Sequence, residues 1–412
     1  MCDKEKKVVV CDISKEGKYS ETQLLTKAYD VREAVKIEDG CNNFCSYCII
    51  PYLRGRVRSK LYSEIEQEVK ALVKQNVKEI VLVGIEVASY GKDIGDISLI
   101  DVIERLNSVE GLERIRLSSL EPRYLTEENI LRMSKCDKLC DYFHISMQSG
   151  STDTLKRMNR KYDKTLLVEV TNTLRKYFLD CYIAADCIVG FPAETEEEFC
   201  ETKETIQKMN LSDIHVFKYS KRAYTRAAKM DDQIDGNIKK RRSEELIKIA
   251  ASNKEKFLVK HIGSIKKVLF ESYDNNCLQG YTTNYIKVNV KGDSNKLCGT
   301  IQDVVLTSLD GETMQARLVR NKSLSVMTCI FGVFLLFAGI IVYFKINPLS
   351  DTNKAGNSKL NEASNAYVDI YKDNAKVDNP QNEENNDFNS NTNLNNDTKA
   401  EEKYFSLIAL GE

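Results

Sequence analysis

Short apolar runs, most of them β-branched, alternate with amphipathic stretches along the first half of the chain. The runs at 34–38, 79–83, 114–118, 142–147, 181–189 and 214–219 predict strands. The stretches between them carry helical periodicity. Residues 64–74 place Ile65, Val69, Leu72 and Val73 on one face, and 97–107 place Ile100, Val102, Ile103 and Leu106. Residues 165–178 do the same with Leu166, Leu167, Val170, Leu174 and Phe178. The stretch 195–209 opens on Thr195 with Glu198 three residues later, a capping box. Six strands alternating with helices predict parallel βα units. The count fits a closed or partly closed barrel better than a doubly wound sheet.

Beyond residue 236 the texture changes. Residues 237–261 read as one long charged helix with Ile238, Leu246, Ile249, Phe257 and Leu258 as its apolar positions. After Gly263, short strands at 266–271, 284–290 and 303–309 are split by turn-rich pieces, which predicts a small all-β barrel. Residues 323–344 form an uncharged apolar run long enough, at 1.5 Å per residue, to cross about 30 Å of hydrocarbon. Arg317, Arg320 and Lys322 precede it and Lys345 follows, so the amino side is expected to be cytoplasmic and the chain to be single-pass and membrane-anchored. Residues 345–412 are rich in Asn, Asp, Glu and Lys and too poor in apolar groups to offset their ordering entropy, so a disordered polar tail is expected.

Composition adds two constraints. The 412 residues suggest two or three domains, and the net charge of −1 is uneven. The tail from Lys345 holds 7 basic and 12 acidic residues, leaving 53 and 49 ahead of it, a mildly basic front that is compatible with RNA. The 13 cysteines are an odd count and no secretory signal opens the sequence, which points to a reducing compartment with free or metal-bound thiols.

The densest chemistry lies in Gly40-Cys41-Asn42-Asn43-Phe44-Cys45-Ser46-Tyr47-Cys48. Thiolates of Cys41, Cys45 and Cys48 at C-x3-C-x2-C spacing can converge on one [4Fe–4S] cluster and leave one iron open. An open iron can chelate the amino and carboxylate groups of S-adenosylmethionine (SAM), whose sulfonium bond breaks on one-electron reduction. The loop follows the first expected strand, at the carboxyl end where barrel chemistry collects. The alternative is zinc or three buried thiols. Structural zinc wants four ligands, and no fourth Cys or His stands nearby in sequence.

With its continuation Ile49-Ile50-Pro51-Tyr52-Leu53-Arg54-Gly55-Arg56-Val57-Arg58-Ser59, this loop resembles that of the radical-SAM tRNA methylthiotransferases, the MtaB-type branch above all. Later segments agree, among them Arg116–Pro122, His144-Ile145-Ser146-Met147-Gln148-Ser149-Gly150-Ser151, Leu155–Arg160, Asp186–Pro192 and His215–Ser220. The similarity runs from about residue 30 to residue 319. The resemblance implies a radical-SAM partial (βα)6 barrel at 34–236, a connecting helix at 237–262 and a TRAM-like RNA-binding barrel at 263–320. It implies addition of a methylthio group to C2 of N6-threonylcarbamoyladenosine beside the anticodon, with tRNA and an electron donor as partners. Gly84 and Glu86 would meet the SAM amino group. Ser119, Gln148 and Asp186 would contact its ribose or methionine part, and Gly190 would admit its adenine. Arg54, Arg56 and Arg58 form a basic stripe suited to phosphate, and Lys266, Lys267, Tyr281, Tyr285 and Lys287 combine charge with aromatic planes suited to an RNA loop.

The sequence departs from the family pattern in two places. Only about 35 residues precede the cysteine motif, with Cys2 and Cys11 among them, so residues 1–33 read as the remnant of an amino-terminal domain. The family's auxiliary cluster is then expected to be absent or supplied by a separate domain. The alternative function is SAM cleavage or tRNA binding without sulfur insertion. The apolar run and tail are the second departure and fit either an anchor or an in-frame fusion. Ala193 stands where the family usually has glycine.

Overall fold

A computed structural model describes residue 19 and residues 27–95, 97–292 and 295–319. Six strands form its centre: β1 (Arg32–Lys36), β2 (Glu79–Val83), β3 (Arg114–Leu117), β4 (Tyr142–Gln148), β5 (Tyr182–Val189) and β6 (Asp213–Lys218). β1–β2–β3 and β4–β5–β6 are parallel ladders. Parallel bridges Ile115↔Leu139 and Leu120↔Ile145 join the two ladders. Each strand's neighbour in space is its neighbour in sequence. That order belongs to a (βα) arc and excludes a doubly wound sheet, whose strand order reverses.

The strands read as expected because their outer faces are apolar. Val35, Ile80, Leu82, Ile115, Leu117, Phe143, Ile145, Met147, Ile183 and Cys187 are buried against the surrounding helices. Their partners include Ile65, Val69 and Leu72 of Tyr62–Val73, and Leu167, Val170 and Leu174 of Lys164–Tyr177. The Thr195–Glu198 capping box opens Glu196–Met209 as expected. The inner face, by contrast, alternates into polar and charged residues: Arg32, Glu79, Arg114, Arg116, Tyr142, His144, Asp186 and His215.

Helix Gly236–Val259 leads into five strands, β7 (Ile265–Asp274), β8 (Cys277–Thr282), β9 (Lys287–Lys291), β10 (Ile301–Asp310) and β11 (Thr313–Leu318). They close into a barrel in the order β8-β9-β11-β10-β7 around Val268, Phe270, Leu278, Val288, Val304, Leu306 and Met314. β8 and β11 have no counterpart among the strands expected from the sequence. β8 carries Gly280 at a register shift, where a Cβ would stand 2.0 Å from the Leu269 carbonyl oxygen, and such a glycine erases the strand signal. The strand expected at 284–290 begins at Lys287, because Tyr285 takes a left-handed turn conformation (φ +63°).

This small barrel sits on the amino-terminal ends of β1–β5. Arg114 donates to the carbonyls of Tyr281 and Lys267 at 2.9 Å each, and Arg116 donates to Thr283 O at 3.0 Å. Arg116 also pairs with Glu79 at 2.6 Å and lies over the Tyr285 ring, and Arg32 lies over Tyr281. The expected apolar span at 323–344 and the tail fall outside the described residues. Among the described residues no helix is long and apolar enough to cross a membrane.

Candidate active site

The cysteine loop leaves β1 through Ile37, a two-residue ribbon of Glu38–Asp39 against Arg58–Ser59, and Gly40. Gly40 has φ +83° and its Cβ would stand 2.0 Å from Arg56 O, so only glycine lets the loop fold back here. The loop is then clamped from the far side. Ser46 N–H donates to Met158 O (2.9 Å), Ser46 Oγ to Arg157 O (2.8 Å) and Asn159 Nδ2 to Phe44 O (2.8 Å). The segment Leu155–Arg160 thereby fixes the shape of the cysteine loop.

N–H groups are directed at the sulfurs. Asn43 N donates to Cys41 Sγ at 3.4 Å, and Arg160 Nη1 donates to Cys45 Sγ at 3.2 Å. Burial pushes the Cys41 thiol up to about 12 and Cys48 to about 11, so these groups become thiolates only where a cation neutralises them. A structural zinc takes four protein ligands, whereas a set of three thiols suits a cubane cluster with one iron left open.

Glu86 is tied into the same loop. Its carboxylate accepts from Asn43 Nδ2 at 2.8 Å, and its own N–H donates to Glu38 Oε2 at 2.7 Å. Burial, partly offset by Arg160, lifts Glu86 to about 7, and burial lifts Glu38 to about 8. A Cβ at Gly84 would stand 2.7 Å from Glu38 Oε2, so the glycine makes room for that carboxylate. Ser119 follows β3 half-buried, and Gln148 ends β4 with φ +65°.

Several roles expected from the sequence change on sight of the structure. Arg58 is buried, donates to the carbonyls of Arg54 (2.8 Å) and Arg56 (3.1 Å), and pairs with Asp39 at 3.4 Å. It braces the loop instead of facing phosphate, and only Arg54 and Arg56 of the stripe reach the surface. Arg56 covers the Phe44 ring at 4.8 Å. Tyr281 and Tyr285 stack on each other at 4.9 Å and lie beneath Arg32, inside the junction between the barrels, so their planes do not face an RNA loop. Lys266 is half-buried and pairs with Asp180, Lys267 is exposed, and Lys287 is half-buried. At Gly190 (φ +69°) the space of a side chain is filled by Lys239 Cγ, 2.3 Å from the would-be Cβ, so the glycine lets the helix Gly236–Val259 approach this turn. Asp186 does not stand alone. It pairs with His144 at 2.9 Å and faces His215 at 3.8 Å. Burial would push His144 down, but the Asp186 carboxylate reverses this and holds its pKa above the ordinary value.

Sequence reasoning gives no individual role to Asn43, Arg160, His144 or His215. The histidines do carry a signal: the chain has 3, and two of them fall on strands at inward-facing positions.

Residues 35–206 match the family model of the Radical SAM superfamily. The Bacillus subtilis (strain 168) protein "Threonylcarbamoyladenosine tRNA methylthiotransferase MtaB" is 39% identical over 289 residues, 69% of this chain and 64% of its own length. The Clostridium tetani (strain Massachusetts / E88) "tRNA-2-methylthio-N(6)-dimethylallyladenosine synthase" is 40% identical over 319 residues, 75% of this chain and 68% of its own length. The Thermoanaerobacter sp. (strain X514) protein with the same name is 39% identical over 316 residues, 76% of this chain and 67% of its own length. The chain therefore spans about two thirds of the length of the curated relatives it matches. The superfamily match brings a [4Fe–4S] cluster and SAM as cofactors, and the donor set of Cys41, Cys45 and Cys48 fits the cluster. These matches bear out the resemblance seen in the motifs: the chain belongs to the radical-SAM tRNA methylthiotransferase family.

Proposed function

We propose that this chain carries the catalytic part of a tRNA methylthiotransferase of the MtaB type, which places a methylthio group on C2 of N6-threonylcarbamoyladenosine next to the anticodon. The observation that carries the reading is the clamped loop of Cys41, Cys45 and Cys48 at the carboxyl end of β1, in a chain 39% identical to the B. subtilis relative. When bound, the cluster supplies the electron that splits SAM, and SAM supplies the radical and the methyl group.

This chain's own residues do the holding. Arg160 and Asn43 direct N–H groups at the sulfurs and so stabilise thiolate charge. Glu86, fixed by Asn43 beside the loop, is the acceptor proposed for the SAM amino group, with Gly84 giving the turn its room. Ser119 and Gln148, past the ends of β3 and β4, remain proposed contacts for the rest of SAM. Residues 34–236 are read as the catalytic domain and 263–320 as the RNA-gripping one. tRNA is the proposed partner, with Arg54, Arg56, Lys266, Lys267 and Lys287 as proposed basic contacts and Arg58 and Tyr281 set aside. An external electron donor completes the set.

Nucleoside mass spectrometry tests the reading. tRNA from cells carrying the gene should contain the methylthiolated threonylcarbamoyl nucleoside, and tRNA from cells lacking it should contain the unmodified precursor. Identical nucleoside profiles would end the proposal. Disappearance of a methylthiolated dimethylallyl nucleoside instead would move the substrate to that of the clostridial relative.

A further inference from the structure

Two of the chain's 3 histidines meet at one carboxylate on the inner face of the strand arc. His144 is the third residue of β4, Asp186 the fifth of β5 and His215 the third of β6. Asp186 and His215 are direct register partners across the β5–β6 ladder. The inward periodicity of three adjacent strands therefore places the three side chains on one wall. The rings of His144 and His215 stand 4.8 Å apart, edge to face, and the donor atoms of all three residues lie within 4.8 Å of one another.

We infer that His144, Asp186 and His215 form a binding site for one divalent transition-metal ion, separate from the cysteine loop. Two imidazoles and one carboxylate on one side of an ion, with the remaining positions open, is a donor set that takes iron(II), manganese(II) or zinc(II). The spacing suits it. Neighbouring ligands of an octahedral ion at about 2.1 Å stand about 3.0 Å apart, and those of a tetrahedral zinc at about 2.0 Å stand about 3.3 Å apart. His144 Nε2 and Asp186 Oδ1 are already 2.9 Å apart. His215 Nδ1 is 3.8 Å from the same oxygen and closes by less than 1 Å through ring rotation.

The surroundings support an ion held from one side. His144 is buried and oriented from behind, its Nδ1 3.4 Å from the Tyr142 hydroxyl. Such an outer partner fixes the ring of a ligating histidine. Tyr142 in turn stacks on Tyr182, whose hydroxyl donates to Asp213 Oδ2 at 3.0 Å. Asp186 and His215 are only partly covered, so an ion held by them would keep open coordination positions. The inference does not rest on which nucleoside is the substrate.

Manganese(II) is the probe of choice because thiolates, abundant in this chain, bind it weakly. The full chain, reconstituted anaerobically with its cluster and dialysed against chelator, is titrated with Mn2+ while free Mn2+ is followed by EPR. One ion per chain is expected, with electron spin-echo modulation from two imidazole nitrogens on the bound ion. His215→Ala, Asp186→Asn and His144→Ala should each weaken binding at least tenfold while iron content and cluster absorbance stay at the parent level. The absence of stoichiometric binding in the parent, or bound Mn2+ without nitrogen modulation, would overturn the site. So would binding that the three substitutions leave intact. The nitrogen signal is read on the parent itself, so misfolding of a variant does not blunt the test.

Discussion

At the amino-terminal end of the strand arc, Arg32, Glu79, Arg114 and Arg116 are enclosed between the arc and the small barrel, each with an opposite charge or a carbonyl to meet. At the carboxyl-terminal end, Glu86, Arg160, Asn43 and the three cysteines face a loop whose thiols are incomplete ligands. Both ends are rich in charge, one through residues on the strands and the other through the loops that follow them. The difference lies in the covering. One end is covered by protein, and its charges are consumed in docking two domains. The other holds groups that burial keeps away from their ordinary ionisation, as Cys41, Glu86 and Glu38 show. A charged barrel interior is therefore no sign of catalysis until its neighbours have been counted.

The largest effect expected from this comparison belongs to the sealed end. Glu79→Ala leaves Arg116 and Arg114 buried without their carboxylate and should cost about 3–5 kcal/mol of stability. Denaturant unfolding measures this, and the iron content of the surviving folded protein should match the parent's. A loss of iron that exceeds the loss of fold would show that the two ends are not independent.

A second effect distinguishes the open end. Folding raises the Glu38 carboxyl from 4.5 to about 8 through burial, so between these values the folded state holds a proton that the unfolded chain has released. In the cluster-free protein this carboxyl's contribution is then complete below pH 4.5 and about 4–5 kcal/mol of it is lost as pH rises through 8. Glu38→Gln should flatten that slope, which thermal unfolding across pH would record. Glu79, whose pKa is lowered by its arginines against the pull of burial, acts with the opposite sign: its stabilisation is present above the ordinary carboxylate pKa and is lost as pH falls.

The smallest effect concerns backbone geometry. Ala193 sits at φ +60° beside the Phe191–Glu194 turn, with its N–H donating to Asp232 O at 2.7 Å. A non-glycine residue there is strained, so Ala193→Gly should stabilise the fold by about 1 kcal/mol without changing iron content. A destabilisation on denaturant unfolding would mean that the unfolded-state entropy of glycine outweighs the relieved strain.

Much of the arc is legible in the chain because its outer face obeys a simple rule. Val35, Leu82, Ile115 and Ile183 must meet helices, and their period announces strands. The cysteine loop is legible for a different reason: three thiols at fixed spacing are rare enough to speak alone. What periodicity does not carry is the partner of an inward-facing residue. Arg58 reads as a phosphate ligand until Asp39 and two carbonyls are seen to hold it. Tyr281 reads as an RNA platform until Arg32 is found over its ring. The meeting of His144, Asp186 and His215 depends on the register of three strands and is hidden for the same reason. β11 gives little signal because its alternation is shallow: Met314 is its one fully buried residue.

The most direct test of the account is the low-temperature EPR spectrum of the anaerobically reconstituted, dithionite-reduced chain, recorded with and without SAM alongside an iron count. A three-thiol cluster with one open corner predicts about four irons per chain lost on joint Cys41→Ala, Cys45→Ala and Cys48→Ala substitution, and a reduced-cluster signal that shifts when SAM is added. A preparation that takes up zinc in place of iron, or a cluster signal indifferent to SAM, would contradict it.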